Sequence, residues 1–150
     1  MRSRRDDVDH GRAVERALAE GLCGMGGRLP RPPESLEEAV EALGVHDERA
    51  ARRLARFAEV APGAFVWTRD VDGLHLLGRL TGGWRYDASA EASRVDLVHV
   101  RDCAWRQEPV MAQEVPPAVL HTFARGGRNF QQIHDAAVSR QSLALWEASG

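Results

Sequence analysis

Lysine is absent from this 150-residue chain, isoleucine and asparagine occur once each, and Tyr86 is the only tyrosine. All 20 basic residues other than histidine are therefore arginines, set against 22 acidic residues for a formal net charge of -2. A GC-rich coding bias explains the missing lysine most simply, so the arginines are not read as phosphate ligands on number alone. A polyanion-binding surface normally brings a clear basic excess. That argues against tight non-specific nucleic-acid binding and leaves open a pocket for a single extruded base. There are two cysteines, Cys23 and Cys103, without CxxC spacing. They read as buried thiols, not as a disulfide or a metal site. No apolar run approaches the roughly 20 residues that span a bilayer, and the start, Arg2-Ser3-Arg4-Arg5-Asp6-Asp7, has no apolar signal core. A cytoplasmic protein with no membrane partner is expected.

Signatures of catalysis are missing too. His10, His46, His75, His99, His121 and His134 show no H-E-x-x-H or other ligand spacing, and no G-x-S-x-G elbow is present. The glycines of Gly21-Leu22-Cys23-Gly24-Met25-Gly26-Gly27 invite comparison with a dinucleotide loop, but Arg28-Leu29-Pro30-Arg31-Pro32-Pro33 follows where that loop needs a helix start. The expectation is a protein that is not an enzyme, with no cofactor and no metal.

What is present is concentrated between Gly63 and Trp105. Phe65 to Arg69 and Leu74 to Leu80 are short β-prone runs joined by Asp70-Val71-Asp72-Gly73, a hairpin signal because glycine accepts positive φ at no cost. Thr81-Gly82-Gly83 breaks the chain before Trp84-Arg85-Tyr86, and after a polar loop from Asp87 to Arg94 strand character resumes from Val95 to Val100, ending near Trp105. This predicts a meander of at least four strands. Trp67, Trp84, Tyr86 and Trp105 all fall within it, with Phe65 and Trp67 on one face and Trp84 and Tyr86 sharing another. Two readings stand side by side: all four rings are core, or a curled sheet leaves some at its mouth to stack a flat ring.

Along the rest of the chain, Met1 to Asp9 is polar and expected to fray. Asp7 or Asp9 caps a helix running to about Glu20, followed by a strand from Leu22 to Met25. Ser35 caps a second helix, with Glu38 in the capping-box position and Gly44 as its stop. Asp47 caps a third, carrying Ala50, Leu54, Phe57 and Ala58 inward and Arg49, Arg52, Arg53 and Arg56 outward. After an extended stretch, Pro117 to Ala124 is a short helix, Asn129 caps a last helix from Phe130 onward, and 138–150 is a helical tail. The whole is one α+β domain, a small barrel of five to six mostly antiparallel strands with flanking helices.

The segments GAFVWTRD, GLHLLGRLTGGWRYD and DLVHVRDCAW, in that order and spacing, resemble PUA-like domains of the EVE type, particularly the DNA-recognition modules of modification-dependent restriction systems. Gly63, Gly78, Gly82, Trp84 and Tyr86, then His99, Arg101, Cys103 and Trp105, fall on the pattern, as does the strand at Gly21 to Gly26. Gly27 stands where the pattern has Trp. The resemblance implies a PUA-like barrel that accepts a modified or flipped nucleobase in an aromatic pocket. On that expectation Trp67, Trp84, Tyr86, Thr68, Met25 and His99 contact the base, and Arg101, Arg125 and Arg128 contact phosphate. The partner would be nucleic acid with a modified or unpaired base, DNA before RNA, with a separate nuclease or other effector acting alongside. His99 and Arg101 also fit a purely structural pairing, and Arg125-Gly126-Gly127-Arg128-Asn129 also fits a plain helix stop. The alternative function is a small-molecule or protein-interaction domain on the same barrel.

Overall fold

The computed structural model describes residues 10–125 and 131–149. The predicted frayed segment 1–9, Arg128, and the proposed cap Asn129 with Phe130 lie outside these residues. Helix α1 (His10–Glu20) leads into strand β1 (Leu22–Met25), and helices α2 (Leu36–Gly44) and α3 (Glu48–Glu59) follow. Then come β2 (Phe65–Arg69), β3 (His75–Leu80), β4 (Arg85–Tyr86), α4 (Ala90–Val95), β5 (His99–Trp105), α5 (Pro117–Ala124) and α6 (Ala136–Ala148).

Local chemistry sets many of these boundaries. The Ser35 hydroxyl accepts from the Glu38 backbone N–H and the Asp47 carboxylate from that of Ala50, each satisfying an otherwise orphaned first-turn donor. In the β2–β3 hairpin, Asp70 Oδ1 accepts from the backbone N–H groups of Asp72 and Leu74, and Gly73 takes φ +82°. A side chain that bonds its own turn in this way fixes the loop before any tertiary contact forms.

The five strands form one curled antiparallel sheet in the order β1-β5-β3-β2, with β4 pairing β5 beside β3. This differs from the predicted meander. Trp84 to Tyr86 do not fold back on β3; Arg85 pairs with Val100 and Tyr86 with His99. The reason is the length of β5, whose seven residues offer β1 one edge and still hold β3 and β4 end to end on the other. The predicted loop from Asp87 to Arg94 contains α4, capped by Ser89 and closed by Asp96 at φ +49°, so strand character begins at His99 and not at Val95. Among the described residues the sheet is a curled half-barrel: β1 and β2 are its two ends, and no strand pairing joins them. The last helix starts at Ala136 with an Asp135 cap, later than Phe130, and packs on β2, so the described part of the expected tail, 138–149, belongs to the body of the domain.

Pairing places residues 23, 25, 99, 101, 103, 78, 80, 66, 68 and 86 on one face, where α2 and α3 cover Cys23, Met25, Leu80, Cys103 and Val66 with Ala39, Leu54 and Phe57. The opposite face is covered in two parts. Leu22 and Val100 pack with Ala13 and Ala17 of α1 and with Val95 and Leu97, while Leu77, Phe65 and Trp67 pack with Val119 of α5 and Leu145 and Trp146 of α6.

Candidate functional site

Pleating turns the predicted base-binding residues to two different faces. Met25, Tyr86 and His99 share the face under α2 and α3, and Trp84 joins them; Trp67 lies on the other face beneath α6, and Thr68 turns back to the first. Two distinct places result, one closed and one open.

The closed one is built around His99, which has no exposed surface. Trp84 stacks on the imidazole at 6.2 Å and 22°, and Tyr86 meets it edge-on at 5.3 Å. The Trp84 indole N–H donates to His99 Nδ1 at 3.3 Å. An indole nitrogen is only a donor, so Nδ1 is unprotonated and the proton sits on Nε2, which donates to the Gly27 carbonyl at 2.9 Å. Burial pushes the imidazole below its ordinary value of 6.5, opposed by the Gly27 carbonyl and the Asp96 carboxylate. The tyrosine hydroxyl is also engaged, accepting from the Leu29 backbone N–H at 3.1 Å. Gly27, at φ +125°, touches this group directly: a Cβ there would lie 3.1 Å from Leu43 Cδ1 and 3.3 Å from His99 Nε2. A side chain at this position would press on Leu43 and His99 and hold a strained backbone angle. These residues form a hydrogen-bonded knot in which His99 and Met25 are buried instead of standing at a pocket rim, while Trp84 and Tyr86 are half-buried.

Arg101 is likewise interior. It is 1% exposed, and its guanidinium donates to the Phe57 carbonyl at 2.7 Å and the Gly82 carbonyl at 2.8 Å, tying α3 and the β3–β4 turn to the central strand. This corrects the expectation that it meets phosphate at a pocket edge. Trp105 is also occupied, donating to the Leu22 carbonyl at 2.9 Å. Arg125 is exposed at the end of α5, on the rim of a depression of about 580 Å³ shared with His121 and His134.

The open place is a cleft of about 1010 Å³ running along β2. Residues from both faces of that strand line it, Val66 and Thr68 from one and Phe65 and Trp67 from the other, which only a strand at the end of a sheet permits. Val60 at the end of α3, backed by the buried Phe57, forms one wall; Val138 of α6 and Ile133, backed by the buried Ser142, form the other. Arg56, Arg69, Gln131 and Gln132 stand around the opening, with Glu59 and Asp70 between them. Trp67 is held by its indole N–H, which donates 3.1 Å to the hydroxyl of the fully buried Ser142. Arg69 lies 4.8 Å over the Phe123 ring. Of the expected base-contacting residues, then, Trp67 and Thr68 line this cleft and the other four do not. Sequence reasoning missed the α3 and α6 walls. Phe57 and Val138 carry only a helical apolar spacing, which marks core positions equally well.

Among the described residues no group of three or more His, Cys, Asp or Glu side chains is placed to hold a metal ion, and no helix is long and apolar enough to cross a membrane. No protein-family model, curated protein or solved structure matches the chain.

Proposed function

We propose that this protein is a non-catalytic binding module that takes a modified or unpaired nucleobase, held out of its strand, into the cleft along β2. The observation that carries the reading is the shape of that cleft: two apolar walls from α3 and α6 stand on either side of a strand edge, a slot suited to a flat ring. The order of the aromatic and glycine segments that resemble PUA-like, EVE-type domains supports the same reading. The seat differs from the expected cage, because Trp84 and Tyr86 are spent on His99. Extrusion costs a few kcal/mol, and ring stacking returns about 1 to 3 kcal/mol per base. A buried methyl substituent adds about 0.8 kcal/mol. Such a module acts on DNA in preference to RNA, and its output depends on a separate nuclease or other effector.

Titration of the tryptophan fluorescence with short DNA and RNA strands, plain or carrying a methylated or unpaired base, tests this. Saturable quenching that persists at physiological salt and disappears in Trp67→Phe is the expected result. Quenching that vanishes as salt rises reports surface charge alone and removes the proposal.

A further inference from the structure

We infer that the outward backbone groups of β2 read the hydrogen-bonding edge of the ligand, an inference that rests on the nucleobase reading above. In an antiparallel ladder, residues alternate between those whose N–H and C=O face the partner strand and those whose groups face away. The ladder here is fixed at both ends: Leu80 N–H donates to the Ala64 carbonyl at 2.9 Å and Asp70 N–H to the Leu74 carbonyl at 3.0 Å. With Val66 opposite Gly78 and Thr68 opposite Leu76, the even-numbered residues turn to β3. Phe65, Trp67 and Arg69 therefore present their N–H and C=O away from it, along the floor of the cleft. Among the described residues no hydrogen bond meets these outward groups.

Each outward residue sets a donor beside an acceptor on the same side of the strand. That is the complement of the Watson–Crick edge of a base, where a donor also neighbours an acceptor. A ring bonded there lies as an extension of the sheet, its two faces against the α3 and α6 walls. The ligand class is thus a planar heterocycle with a free amide-like edge, and a base in a duplex is refused because its edge is already paired. Methyl groups at the opposite side of the ring fit the slot; methyl groups on the pairing edge do not.

The test uses one protein substitution and one ligand substitution. Proline is tolerated in a terminal strand where its missing N–H faces outward, so Arg69→Pro removes one outward donor and Arg69→Ala controls for the lost side chain. Binding of a single-stranded DNA with one 5-methylcytosine is expected to weaken about tenfold more in Arg69→Pro than in Arg69→Ala, the worth of one well-placed hydrogen bond. On the unaltered protein, a strand with 3-methylcytosine at the same place is expected to bind at least tenfold more weakly than one with 5-methylcytosine, so the test survives a misfolded proline variant. Equal binding of the two strands, or of the two variants when both fold, overturns the edge assignment while the proposed function stands. If no oligonucleotide binds, both fall. If instead an extended Thr-Val repeat peptide binds and Arg69→Pro abolishes it, the edge serves strand addition and the inference is overturned.

Discussion

The knot around His99 and the cleft along β2 are made of the same residue types, an aromatic ring or two, a hydroxyl and a strand, yet one is closed and the other open. In the knot each polar atom of the ring system has a partner: Trp84 N–H, both imidazole nitrogens and the Tyr86 hydroxyl. Low local dielectric strengthens such a network and makes each member costly to remove. Along β2 the Trp67 indole is tied to Ser142 and the even-numbered backbone groups to β3, while the outward backbone of Phe65, Trp67 and Arg69 has no partner among the described residues. Aromatic content therefore says little about where a ligand goes. The place to look is where hydrogen-bonding capacity remains unused beside apolar walls.

The sharpest way to break this contrast is His99→Ala, which removes a buried ring and leaves the Trp84 N–H and the Gly27 carbonyl unmatched. A loss of about 3 to 4 kcal/mol is expected in urea unfolding. A loss under about 1 kcal/mol would show the knot to be incidental. Gly27→Ala is expected to cost about 1 to 3 kcal/mol, since φ +125° is strained for any side chain and the new methyl must displace Leu43 or His99.

Next comes acid lability. The folded imidazole of His99 sits below its unfolded value of 6.5, so the unfolded chain takes up a proton first. The stability contributed by the neutral ring is complete above about pH 6.5 and is lost as pH falls through the lowered folded value, with a slope of up to about 1.4 kcal/mol per pH unit. His75 is shifted the same way, by burial and then by Arg69. Urea midpoints measured from pH 8 to pH 5 in the parent and in His75→Gln isolate the His99 share. A flat profile in His75→Gln would contradict the neutral, buried assignment.

The smallest expected effect lies at the open place. Ser142→Ala removes the hydroxyl that Trp67 donates to, at a cost of about 1 kcal/mol, and Trp67→Phe should cost about the same. Against a loss three times larger at His99, this measures how much looser the cleft is. If Ser142→Ala matches His99→Ala, the two places are equally built in and the distinction fails.

Much of the fold was legible because its signals are local. Ser35, Asp47 and the Asp70-to-Gly73 turn each bond backbone within four residues, so their meaning does not depend on the rest of the chain. The pairing of Tyr86 with His99 was not legible, because β3 and β5 compete for the same short strand and only the length of β5 decides. Helix α4 was missed for a related reason: Ser89 is a good cap, but a six-residue helix is sustained by burying Ala92 and Val95 near α1. At the candidate site, Trp67 and Thr68 were named from the strand, whereas the walls supplied by Phe57 and Val138 come from helices far away in sequence.

Alternation along each strand, helix caps and turn chemistry follow from the amino-acid order alone, because they depend on neighbours the chain cannot avoid. Whether a given ring is sealed or borders a cleft, and which strand is left at the end of the sheet, depends on partners brought together from distant segments. His99 shows this most directly: its residue type and strand position are compatible with a pocket rim, and only the convergence of Gly27, Trp84 and Tyr86 turns it into an interior group.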